Sequence, residues 1–131
     1  MNNRIRYILV VLNSFLAFTA ITGGIGLLTG LNAPPLDFLA GSPFSNYTIP
    51  GCALLVLVGG TSVFAVTLLV RKDNFAWFVV VASSVLVIIF EAVEIYYIGS
   101  PDGAARLLQI FYSTLGLVIG ILGFTFRTFK K

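Results

Sequence analysis

The sequence predicts an all-α fold, an integral-membrane bundle of four transmembrane helices with both termini on the cytoplasmic side. Three observations carry this. Of 131 residues, 58% are hydrophobic and only 10% are charged, against roughly 25% charged in a soluble domain. Four mostly apolar windows, 5–30, 49–70, 75–98 and 104–126, each reach the ~20 residues that a helix needs to cross a bilayer. The basic residues also alternate across those windows. Arg4 and Arg6 precede the first, Arg71 and Lys72 separate the second from the third, and Arg127, Lys130 and Lys131 end the chain, so seven of eight Lys and Arg fall on one side. By the positive-inside rule that side is cytoplasmic. Residues 1–131 form a single domain on this basis, and the net charge of +3 is an anchor to anionic membrane lipid with no need of a nucleic-acid partner.

Composition also excludes chemistry. Without histidine the chain lacks the commonest metal ligand and the commonest general base. A single cysteine, Cys52, rules out an internal disulfide and a CxxC redox pair. No metal and no cofactor are expected.

In the first window Asn13, Ala17, Ala20 and Gly24 recur at steps of four, three and four, a polar or small residue at every turn of one face. Such a stripe serves close helix packing. The window is too long for a signal-peptide core, and Pro34 follows Ala33 where cleavage would be sought, so the segment is expected to be a retained helix.

The outer loop, 31–48, is long for a compact bundle and holds Pro34, Pro35, Gly41 and Pro43 beside Leu36, Phe38, Leu39, Phe44 and Tyr47. Its apolar groups need cover, which predicts a cap over the outer mouth. Within it, Gly41-Ser42-Pro43-Phe44-Ser45-Asn46-Tyr47-Thr48-Ile49-Pro50-Gly51 resembles a segment of small four-helix bacterial membrane proteins of uncharacterised function. The resemblance reaches from Leu36 to Gly60. It implies a bacterial cytoplasmic membrane and brings no activity, cofactor or binding residue with it.

Thr48 is a suitable N-cap and Pro50 a first-turn proline for the second helix. Gly59-Gly60-Thr61-Ser62 at its middle lacks the preceding strand and the lysine of a phosphate loop, and predicts a helix crossing or a kink. Asp73 or Asn74 can cap the third helix, and Trp77 lies one turn in, where indole rings prefer the headgroup boundary. The third helix ends at Gly99. Ser100-Pro101-Asp102 then starts the fourth after a short outer hairpin.

On the fourth helix Arg106, Gln109, Ser113, Gly116, Gly120, Gly123 and Arg127 alternate at steps of three and four. Lipid offers no partner for the polar members, so this face is expected to turn inward, with Gly116 and Gly120 as a GxxxG packing surface.

The chemistry concentrates at Glu91 and Glu94, two carboxylates on one face of the third helix. Glu91 stands seven residues before Ile98, ~10 Å inside the helix end at ~1.5 Å per residue. The hairpin predicts Arg106 against Glu94 and Gln109 near Glu91. Two uses fit: a buried polar clamp fixing the register of the hairpin, or a solvated acidic pocket in which one carboxylate pairs with Arg106 while the other exchanges a proton or binds a cation. Tyr47, Tyr96, Tyr97 and Tyr112 are candidates to line it. Carboxylates on adjacent turns of one helix do not straddle a cleft as glycosidase acids do, so an enzyme is the least supported class.

Three functions remain open. The first is a non-enzymatic membrane protein whose outward-facing pocket, with Glu91, Glu94, Arg106, Gln109 and Tyr112, binds a ligand, lipid or protein partner. The second is a small proton- or cation-coupled transporter, for which a homo-oligomer is expected. The third is an accessory subunit that uses Gly116, Gly120 and the Asn13 face against a larger membrane partner.

Overall fold

A computed structural model describes residues 2–30, 40–43, 45–99 and 103–130. Among them are four helices, α1 (Asn2–Thr29), α2 (Thr48–Val70), α3 (Ala76–Ile98) and α4 (Ala104–Lys130), and no strand. Their apolar spans of 21 to 27 residues are ~30 Å or longer at ~1.5 Å per residue, long enough to cross a membrane. The windows read from hydropathy locate all four, with α1 beginning earlier and α4 continuing to Lys130.

Local chemistry sets the helix entries. Phe75 donates its backbone N–H to Asp73 Oδ1 at 2.8 Å, an Asx turn ahead of α3 in place of the expected side-chain cap, since Phe75 is itself the N-cap and has no side-chain cap bond. Ahead of α2 the oxygen comes from Asn46, whose Oδ1 accepts the Thr48 N–H at 3.0 Å. Thr48 is thus the first helical residue, where a cap was expected, because an Asx turn one step earlier already satisfies its N–H.

α2 is not uniform. It is α-helical over Thr48–Cys52, a π-helix over Ala53–Gly60, and α-helical again over Thr61–Val70. Thr61 Oγ1 donates to the Leu57 carbonyl where the π-helix gives way to α, a side-chain bond of the kind that helps a helix leave its regular ladder. The Gly59-Gly60-Thr61-Ser62 cluster therefore marks the end of a π segment.

The helices pack as neighbours around a ring, α1 on α2, α2 on α3, α3 on α4 and α4 on α1. Two of these seams are closed by glycine. In α4 a Cβ on Gly116 would sit 2.7 Å from Val87 Cγ1, on Gly120 2.5 Å from Ser84 Oγ, and on Gly123 2.8 Å from Val80 Cγ1. Ser84 Oγ uses the close approach to donate to the Gly116 carbonyl at 2.6 Å. The GxxxG surface is thus spent on α3 of the same chain. Between α1 and α2 the corresponding distances are 2.8 Å from Gly24 to Leu55 Cβ and 2.9 Å from Gly59 to Ile21 Cγ1.

The Asn13 stripe is buried, as its spacing predicts: Asn13, Ala17 and Ala20 lie inside. Asn13 Nδ2 reaches across the bundle from α1 to α3 and donates to Ser83 Oγ at 2.9 Å, while Asn13 Oδ1 and the buried Ser62 Oγ find no partner among the described residues. Near the chain termini Arg6 lies 5.6 Å from the ring centroid of the wholly buried Phe126, which ties α1 to α4. That end, with the Arg71–Phe75 turn, is called the basic end below, and the end with Gly99 the hairpin end.

Polarity is inverted relative to a water-soluble bundle. Asn13, Ser62, Ser83, Ser84, Glu91 and Gln109 are buried, whereas large apolar side chains such as Val11, Phe18, Val56 and Leu107 are more than 60% exposed. A protein in water does the opposite.

Candidate functional site

At the hairpin end the seams part. Thr48–Cys52 packs on α1, whereas α2 meshes fully with α3 only over Thr61–Val70. The divergence leaves a cavity of about 660 Å³ between the four helices, within the roughly 300–1,000 Å³ of small-molecule sites. Its wall is mostly aliphatic: Leu16, Ala20 and Leu27 from α1, Leu86, Val87 and Phe90 from α3, Leu108 from α4. From α2 it takes Ile49 and Pro50, and then Ala53, Leu54, Leu57 and Val58 of the π segment. Ala53 with Leu57, and Leu54 with Val58, are pairs four residues apart that share a face of the helix, and both pairs line the cavity.

The polar groups gather at one end of it. Glu91, Glu94, Gln109, Tyr47, Tyr97 and Tyr112 all line the cavity. Gln109 is 2% exposed, and its Nε2 donates to Glu94 Oε2 and to the Gly99 carbonyl, each at 2.9 Å. One amide thus fastens α4 both to the last turn of α3 and to the hairpin backbone, where Gly99 takes φ 80°, a conformation suited to glycine.

Glu91, one turn deeper, is 6% exposed and its Oε2 is buried without a hydrogen-bond partner among the described residues. Tyr47 is buried beside Glu94. Burial first, and then the Glu94 charge, raise its phenol above the ordinary value, so it stays a neutral O–H.

Two expected placements change. Arg106 is exposed, and Gln109 takes the Glu94 contact that the hairpin predicted for Arg106. Three residues turn a helix about 60° short of a full circle, enough to put one of two candidates inside and the other on the rim. Gln109, expected near Glu91, therefore leaves that carboxylate to the cavity. Of the four tyrosines, Tyr96 points away and is 80% exposed, its ring edge-on to Tyr97 at 4.9 Å between centroids.

The expected loop cap and the Ser100-Pro101-Asp102 start of α4 fall on residues 31–39, 44 and 100–102, outside the described residues. Tyr47, at the end of that loop, does seal one side of the cavity.

Sequence reasoning found the polar groups and missed the apolar chamber they stand in. Its walls are ordinary Leu, Ala and Val, and only the splayed α2 reveals it. Compared with protein-family models, with characterised proteins and with solved structures, the chain matches none.

Proposed function

We propose that the chain is an integral membrane protein that binds an amphipathic small molecule or lipid in this cavity. One observation carries the proposal: an aliphatic chamber of about 660 Å³ whose polar end holds a buried carboxylate oxygen without a partner among the described residues. Apolar walls with a few convergent polar groups are the usual form of a ligand site.

The inverted polarity supports a membrane as the solvent, since exposed aliphatic groups and buried polar ones both lower the free energy in hydrocarbon. The run of basic residues supports a cytoplasmic basic end, with the cavity near the opposite, outer surface. The 41–51 segment supports a bacterial cytoplasmic membrane. Glu91 also keeps a proton- or cation-coupled transporter in view, because an intramembrane carboxylate facing a cavity is what such a cycle needs. An accessory subunit would have to meet its partner through other faces, since Gly116 and Gly120 are occupied by α3.

The test is saturable binding of dodecanol to the protein in lipid nanodiscs, with empty nanodiscs as background. Wild type should saturate, and Ala53→Trp, which places an indole on the cavity wall, should abolish the saturable part. Absence of saturable binding in wild type, or its persistence in a folded Ala53→Trp, overturns the proposal.

A further inference from the structure

The binding reading leaves the chemical class of the ligand open, and the inference here rests on that reading. Three features of the chamber narrow the class. First, its charge is of one sign: Glu91 and Glu94 both line it, and among the described residues on its wall there is no Lys or Arg. Second, the two carboxylates are not equivalent. Glu94 Oε2 is engaged by Gln109, which holds the hairpin together, whereas Glu91 Oε2 is buried and unpartnered. A carboxylate oxygen withdrawn from water with no donor is costly, and a ligand that brings the donor removes that cost. A ligand that also brings positive charge gains most, because Coulomb attraction between opposite charges in a site withdrawn from water adds to the hydrogen bond.

Third, the chamber opens sideways. Ile49 and Leu57 on α2 and Ile89 and Val93 on α3 line the cavity while each is more than 40% exposed. They form the two lips of a slot between α2 and α3 at the hairpin end, where α2 leans on α1. In a bilayer such a slot faces acyl chains, so a guest reaches the chamber from the membrane interior and has to be soluble there.

We propose that the cavity takes an amphiphilic amine, an apolar chain bearing a protonated primary or secondary amino group, which enters between α2 and α3 and donates an N–H to Glu91 Oε2. The aliphatic wall accommodates the chain, and Glu94 adds its charge without giving up its bond to Gln109. An alcohol of equal length supplies a donor and no charge. A fatty acid brings a charge of the wrong sign against two carboxylates.

Binding of dodecylamine, dodecanol and dodecanoate to the protein in nanodiscs at pH 7, with empty nanodiscs subtracted, separates these cases. Dodecylamine is expected to bind at least about tenfold more tightly than dodecanol, the ratio that one charge-assisted hydrogen bond supports, with dodecanoate weakest. Glu91→Gln, which keeps the shape and removes the charge, should bring the amine to within about threefold of the alcohol. Glu94→Gln, whose side chain still accepts from Gln109, should keep most of the preference.

Equal binding of amine and alcohol by wild type overturns the amine proposal and leaves the cavity reading standing, whereas no saturable binding of any of the three overturns both. Loss of the preference in Glu94→Gln with retention in Glu91→Gln also overturns the assignment. Should Glu91→Gln fail to fold, the wild-type ratios decide the matter by themselves.

Discussion

The Gln109 amide is the most concentrated tie in the molecule, and its removal has a calculable cost. Gln109→Leu conserves length and loses two bonds of 2.9 Å, one to Glu94 Oε2 and one to the Gly99 carbonyl. Between membrane helices a side-chain hydrogen bond averages about 0.6 kcal/mol and reaches about 1.7, and the charged acceptor puts the Glu94 bond in the upper part of that range, at about 1 kcal/mol. The Gly99 bond, to a neutral carbonyl, adds about 0.5–1 kcal/mol. The variant should therefore be destabilised by about 1.5–2 kcal/mol.

Reversible unfolding by SDS in mixed micelles, followed by circular dichroism, measures this. A double-mutant cycle with Glu94→Leu isolates the Glu94 part, and a coupling of about 1 kcal/mol is expected. In the parallel cycle Arg106→Leu should show no coupling to Glu94→Leu. Coupling of Arg106 without coupling of Gln109, or a Gln109→Leu within about 0.3 kcal/mol of wild type, refutes this role for the amide.

Three further outcomes are expected. Gly116→Ala should destabilise by about 1–3 kcal/mol, because its new methyl meets the stiff Val87 side chain at 2.7 Å, while Gly60→Ala, with nothing within 4 Å, should be neutral or stabilising in the same unfolding assay. Ser83→Ala should cost about 1–2 kcal/mol by stranding Asn13 Nδ2, whereas Asn13→Leu, which removes the bond together with the already unpartnered Oδ1, should cost less. Single cysteines at Ser45 and at Lys72 in a Cys52→Ser background should be labelled by a membrane-impermeant maleimide from opposite faces of sealed vesicles. Labelling of both from one face would refute the four-span topology.

The four helices were legible because the length and polarity needed to cross a bilayer leave a plain mark on the sequence, and all four windows carry it. The glycine face of α4 and the Asn13 stripe of α1 were equally legible, since a residue at steps of three and four has one side to go to. Rotation about the axis was not. Arg106 and Gln109 satisfy the same spacing rule, and only the hairpin at Gly99, with its positive φ, decides which of them meets Glu94. The π segment left no mark either: Ala53–Gly60 reads as apolar helix.

The glycine seams have a mechanical consequence. α1 with α2, and α3 with α4, are each closely packed through glycines, so each pair behaves as a stiff jaw. The jaws are joined where Arg6 covers Phe126, where Asn13 bonds Ser83, where Phe15 meets Phe111 edge-on at 5.8 Å, and where α2 meets α3 over Thr61–Val70. Among the described residues the seam between α2 and α3 is the looser one toward Gly99, so the body flexes there like a clothes-peg. The volume between Glu91 and the π segment is then set partly at the far end of the molecule, and a change at Arg6 or Phe126, far from any guest, alters how wide the peg stands.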